Sequence, residues 1–241
     1  MTTRGKFGFF FLFLLLASAI SFAEPRPTSP QLQGPDEDST WERLKEKDGV
    51  TIFLRERSGS AFKEAIGKGV IDAPPCRVFQ VLTDSHRLVE FIPYLKSRIV
   101  KHGGADEEYG CQYLDFPWPF SDRFINFRTK RIRNYRDHPC EYFVYWRKDE
   151  TFSCTLQEVK EAYEDAGSDP IVPRANEGYW HLVPEAGGKK TLAYYYVFTD
   201  PGGSVPGWLM NSYADNAILR LFRAVRDRAG KGDLYPPCHC T

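Results

Sequence analysis

Between residues 50 and 55 apolar side chains fall on every second position, and a looser alternation returns over 62–71, so two strands are predicted there. Pro74, whose fixed φ suits a first helical turn, then introduces Val78, Phe79, Val81 and Leu82 at helical spacing. A short helical stretch near 86–91 leads into predicted strands at about 97–102, 109–116, 123–133 and 142–148. An acid-rich stretch with Gly167, Pro170 and Pro173 marks a surface loop over 158–176. Thr191 to Phe198, TLAYYYVF, is too β-branched and aromatic to prefer helix, and Pro201, Gly202, Gly203 and Pro206 end that strand. From Gly207 onward Met210, Ala214, Ala217, Leu221 and Ala224 or Val225 recur at steps of three and four, which predicts an amphipathic helix of about five turns. Gly230 and Gly232 close it, and the arginines of its last turns suit the negative end of the helix dipole. At the other end of the fold, Thr40 is read as the cap of a helix over 41–47.

This order of elements says α+β: a curved antiparallel sheet wrapped on a long C-terminal helix. Side-chain alternation bears on whether the interior is filled or hollow. On the strand from Arg123, one face carries Phe124, Asn126, Arg128, Lys130 and Ile132, and the other carries Arg123, Ile125, Phe127, Thr129, Arg131 and Arg133. Neither face is cleanly apolar, and an unpaired buried charge costs several kcal/mol. Either these bases point to solvent, or one lies inside and holds an anionic head group through bidentate guanidinium geometry. Tyr142, Tyr145, Trp146, Tyr179, Trp180, Tyr194, Tyr195 and Tyr196 crowd the strands expected beside the helix. They are either ordinary sheet aromatics with hydroxyls at the rim, or the wall of a wide apolar cavity, where such rings also suit a quaternary ammonium.

Arg4 and Lys6 precede a run from Phe7 to Leu16 that is apolar except for Gly8, and Ser21-Phe22-Ala23 offers the small residues of a cleavage site. Residues 1–23 are read as a secretory signal peptide, the apolar run being about half the ~20 residues that span a bilayer. Residues 24–39, proline-rich and poor in apolar residues, form the expected linker, 40–230 the folded domain and 231–241 a tail. Removing the leader takes away two bases and no acid, leaving 30 bases against 32 acids. A charge this close to zero gives no bulk attraction to nucleic acid or to anionic membranes.

Cys76, Cys111, Cys140 and Cys154 show no framework spacing and are expected to be buried thiols. Cys238-His239-Cys240 is expected to be a frayed tail, since three ligands within three residues do not preorganise a tetrahedral metal site; the alternative is that one of the two tail cysteines pairs with a core cysteine. No Gly-x-Ser-x-Gly elbow, no His-Glu-x-x-His and no phosphate loop is present, and the five histidines are scattered.

Gly178-Tyr179-Trp180, Tyr194-Tyr195-Tyr196, Asp200-Pro201-Gly202-Gly203, Pro206, Trp208 and Asn211 resemble the closing half of START domains, the lipid-transfer branch of the helix-grip superfamily. Upstream, Pro117-Trp118-Pro119-Phe120-Ser121-Asp122-Arg123-Phe124 is similar to the family's Pro-aromatic-Pro segment before a strand that begins with an Arg. The family carries an acid directly after that Arg, whereas here Asp122 precedes it, which leaves the register of this strand open. The resemblance covers roughly 40–229 and implies a helix-grip fold with an internal hydrophobic cavity. It makes Arg123 the better candidate for an inner base and Arg128 the second. The ligand set it implies is Trp118, Arg123, Asn126, Arg128, Tyr145, Trp146, Trp180 and Tyr195, roofed by Trp208, Met210, Tyr213 and Ala217, with the Pro/Gly turn as hinge. The expected protein is exported to a periplasm or secreted, non-enzymatic and monomeric. It carries one phospholipid, sterol-like lipid or isoprenoid, needs no cofactor or metal, and touches membranes transiently. Two alternatives stand beside it: a cyclase or hydrolase using Arg123 or Arg128 with His181 or Asp122, and a protein-binding scaffold with a solid interior.

Overall fold

The structure is a computed structural model. It describes residues 35, 38–116, 120–151, 154, 155, 157, 158, 161 and 170–240. The expected signal peptide, most of the linker and Trp118 lie outside the described residues.

Among the described residues nine antiparallel strands form one sheet in the order β1-β2-β3-β9-β8-β7-β6-β5-β4. They are β1 (Glu42–Lys47), β2 (Val50–Arg55), β3 (Glu64–Ile71), β4 (Leu95–Gly103), β5 (Glu107–Leu114), β6 (Arg123–Arg133), β7 (Tyr142–Lys148), β8 (Ala175–Glu185) and β9 (Lys190–Asp200). Two α-helices whose bounds lie within the described residues pack with it, α1 (Pro75–Thr83) with Pro74 at its N-cap, and α2 (Gly207–Ala229). The single non-sequential pairing, β3 with β9, brings the two ends of the fold together in mid-sheet.

The helix expected over 41–47 is instead strand β1, hydrogen-bonded to β2. Asp48 and Gly49 make the difference. Both have positive φ, 53° and 66°, and a two-residue turn of that kind matches the twist of paired strands. Five of the six residues of β1 are exposed, as befits a charged edge strand with no core to fill, so its composition says little about its conformation.

α2 crosses the concave face of the sheet and buries Ile218, Leu219, Phe222, Val225 and Ala229 against Val50, Ile52, Val78, Phe79 and Leu182. The crossing needs Gly67 on β3: a Cβ there would stand 2.5 Å from Ile218 and 2.8 Å from Phe222.

The cysteines correct the expectation of buried thiols and of a frayed tail. All six are paired: Cys76 with Cys238, Cys111 with Cys154, and Cys140 with Cys240. Two of the bridges fasten the tail, to α1 and to the β6–β7 turn, and Tyr235 between helix and bridges is buried. Sequence spacing could not reveal this, because the paired residues are 162 and 100 positions apart and meet only once the sheet has curved.

Candidate functional site

Away from that packed end, the sheet and α2 enclose a cavity of about 320 Å³, at the small end of the usual range for ligand pockets. Its wall is chiefly apolar: Leu82, Leu88, Ile92, Leu95, Leu114, Ile125, Phe127, Val144 and Val197 from the sheet and α1 side, with Met210, Ala214, Ala217, Ile218 and Leu221 from α2. The sheet's pleat explains the selection. On β6 the odd-numbered residues from Arg123 to Thr129 face in, and the even-numbered ones face out.

Two polar poles interrupt the apolar wall. At the inner one Arg98 donates to Glu108 and, over 2.9 Å, to Gln112 Oε1, while its guanidinium stacks 3.8 Å above the Phe127 ring. Arg131 donates to the same carboxylate, to Ser85 Oγ at 3.1 Å and to the Gly104 carbonyl at 2.9 Å. Ser85 Oγ in turn donates to Glu108 Oε2 at 2.5 Å. Burial works against ionisation of Glu108, but Arg98, Ser85 and Arg131 outweigh it and hold the carboxyl below its ordinary range. Burial pushes the Arg98 guanidinium down from its ordinary value, and Arg131 pushes the same way.

The outer pole is Arg123, which is 1% exposed. Its Nε donates to the Pro201 carbonyl at 2.7 Å and its Nη1 to the carbonyls of Ser121 and Asp122, while Nη2 has no hydrogen-bond partner among the described residues. Pro201 opens the turn before α2, so this arginine ties the start of β6 to that turn. Asn176 and Thr199, joined by a 2.9 Å hydrogen bond, and Asn211 lie nearby in the lining. Thr129, the partner of Glu108 in the ladder, lies six steps along β6 from Arg123, so the poles stand roughly 20 Å apart along the strand.

Of the residues expected to bind ligand, Arg123, Trp146, Trp180, Tyr195, Met210 and Ala217 do line the cavity. Others do not. Arg128 faces out and pairs with Glu107 at 2.5 Å beside the Tyr109 ring. Asn126, also outward, accepts the Cys154 N–H. Tyr145 belongs to an outer aromatic layer with Phe143, Tyr179 and Tyr196. Trp208 is 72% exposed at the start of α2, and Tyr213 points outward with its ring edge on Phe120. Alternation explains the split, because an aromatic pair on adjacent positions of a strand must place one ring on each face. Residues that the sequence left unmarked, Arg98, Gln112, Glu108 and Arg131, make the inner pole. Inward alternation of Arg98, Gln112 and Glu108 on the β4–β5 hairpin was the available clue.

The cyclase alternative needed His181 or Asp122 to converge with Arg123 or Arg128. His181 lies on the outer face against Glu141 at 2.5 Å and stacks near Tyr194. Asp122 is engaged by the Tyr113 hydroxyl and the Phe116 N–H, and Arg128 is outside. That constellation is not assembled.

No family model matches the chain. An uncharacterised protein of Pseudomonas aeruginosa is 27% identical over 192 residues, covering 79% of this chain and 87% of its own. A phosphatidylcholine transfer protein of Mus musculus is 25% identical over 203 residues, covering 80% of this chain and 84% of its own. The solved STAR-related lipid transfer protein of Xanthomonas axonopodis superposes with a TM-score of 0.67 at 20% identity, over 80% of this chain and 99% of that one. A curved nine-stranded antiparallel sheet, closed on an internal cavity by a C-terminal helix and superposing on that protein along nearly its whole length, is the START version of the helix-grip fold, and this chain has it.

Proposed function

We propose that this protein is an exported, non-enzymatic lipid carrier that holds one hydrophobic molecule between the sheet and α2. The observation that carries the reading is the cavity itself, an apolar chamber with hydrogen-bond donors at two ends and no Asp or Glu among its described lining residues. Burial of an acyl or isoprenoid chain contributes about 0.8 kcal/mol per CH₂, and a polar pole fixes which end enters first. The name of the mouse relative supports a phospholipid as the cargo. Three disulfides support passage through an oxidising compartment, in keeping with the signal peptide proposed at 1–23.

Entry requires a lid. The first half of α2 serves, swinging on the turn at 201–206, where Gly202 and Gly203 both have positive φ. Trp208 and Tyr213, exposed on that half, are the side chains that meet the membrane when it opens. Organic extraction and native mass spectrometry of the purified protein, with a transfer assay between donor and acceptor vesicles, test the reading. Bound lipid and accelerated transfer are expected. An empty chamber with no transfer refutes it.

A further inference from the structure

The inner pole has more positive charge than it can use. Two guanidiniums converge on the single carboxylate of Glu108, and all three side chains are at least nine-tenths buried. Both oxygens of Glu108 are already engaged: one accepts from Arg98, the other from Arg131 and Ser85. Arg98 Nε and Arg131 Nε remain buried with no hydrogen-bond partner among the described residues, and Arg98 faces the cavity. The other cations at the wall each stand beside an acid: Asp122 neighbours Arg123 and favours its charged form, and the Lys63 ammonium pairs with Glu56, so the excess is confined to the inner pole. Arginine does not escape by losing its proton. A buried charge without a counter-charge is costly, so the occupied cavity is complete when the cargo supplies an anion.

The aromatic wall gives no room for a compensating cation. Trp146 stacks on Tyr195 at 5.8 Å, and Trp180 packs at a tilt against Tyr195 at 4.8 Å and Phe222 at 5.2 Å, so these rings pack on one another rather than standing apart as an open box.

We infer that Arg131 determines the charge class of the cargo: the second guanidinium on one carboxylate makes the inner pole net positive, and the carrier selects lipids whose head group is a lone phosphate anion over zwitterionic lipids of the same chain length. The inference rests on the carrier reading above. Arg131 is a positioning residue acting through Arg98 and Glu108, since it touches both Glu108 and the wall of the pole but does not itself line the cavity.

The test is a competition. The full chain is incubated with vesicles of equal phosphatidylglycerol and phosphatidylcholine and the loaded species counted by native mass spectrometry. Phosphatidylglycerol is expected in at least about tenfold excess, the effect of one uncompensated charge a few ångströms away in a partly screened interior. Arg131→Gln is expected to reduce that ratio toward one while still loading lipid, and Arg131→Lys to keep it. A merely structural role would instead lower both lipids together. Equal loading, an excess of phosphatidylcholine, or loading of neither lipid overturns the inference; the carrier reading falls separately, if extraction of the purified protein also yields no hydrophobic ligand. The wild-type ratio decides by itself, so a variant that fails to fold does not shelter the proposal.

Discussion

The two halves of α2 are one helix doing two different jobs. No residue from 207 to 217 is buried, whereas Ile218, Leu219, Phe222, Val225, Arg228 and Ala229 all are. The second half is also fastened from several sides. Arg226 donates to the carbonyls of Asp48, Gly49 and Val70, and Arg228 pairs with Glu90 at 2.7 Å and donates to the Tyr235 hydroxyl at 3.1 Å. Beyond it the tail is stapled by two disulfides. The first half is held to the described fold more lightly, by Asn211 accepting from the Lys63 N–H, the ion pair of Asp215 with Lys45 and the edge contact of Tyr213 with Phe120, and its N-terminus lacks a side-chain cap. Few buried contacts and weak terminal capping define the low-stability end of a fold. The contrast shows how a single helix can be a core element at one end and a cavity lining at the other, because its second half carries the buried contacts that its first half lacks.

Several changes would break or sharpen that contrast. Phe222→Ala removes a fully buried ring packed on Trp180 and Gly67, and should cost about 3–5 kcal/mol in a urea titration. A comparable loss from Met210→Ala, on the free half, would erase the distinction. Replacing Cys76 and Cys238 together by Ser should lower stability by about 2–4 kcal/mol, read as a fall in melting temperature under non-reducing conditions. It should also raise hydrogen exchange in 218–229 toward the level of 207–217; unchanged exchange there would show that the staple does not pin the helix.

Acid should act elsewhere. Because the folded protein holds Glu108 below its ordinary value of 4.5, the network's contribution is complete above that pH and is lost as pH falls through the lower, folded value. Stability measured from pH 6 to 3 should therefore decline only below about 4.5, and the decline should be shallower in Glu108→Gln. The smallest effect on stability is expected from Trp208→Ala, within about 0.5 kcal/mol because the ring is 72% exposed. Its effect should appear in slower transfer between vesicles, and unaltered transfer would remove Trp208 from the membrane-facing role.

Strands β2, β6 and β7 were legible in the sequence to the residue, since alternation over six or more positions leaves little freedom. So was α2, and its stripe Met210–Ala214–Ala217–Leu221 is the surface that roofs the cavity. The more deeply buried row, Ile218, Phe222, Val225 and Ala229, runs one step around the helix from it. Periodicity finds an apolar side; it does not separate a side facing a cavity from one pressed on a core. β1 went unread because its charged composition suits an exposed helix as well as an edge strand, and only the Asp48-Gly49 turn settles the matter.

What the sequence determined by itself was therefore local: the periods of its strands and terminal helix, the breakers between them, and motif words that resemble one fold. The tertiary structure decided which arginines are inside. Arg123 and Arg128 sit on one strand five residues apart and point to opposite faces, and Arg98 and Arg131 reach the same carboxylate from strands β4 and β6 on either side of β5. It also decided that six cysteines unremarkable in spacing are three bridges. The physical reason is common to both. Charge pairing and disulfide bonding depend on distances across the folded sheet, and those distances exist only after hydrophobic burial has curved the strands around the helix.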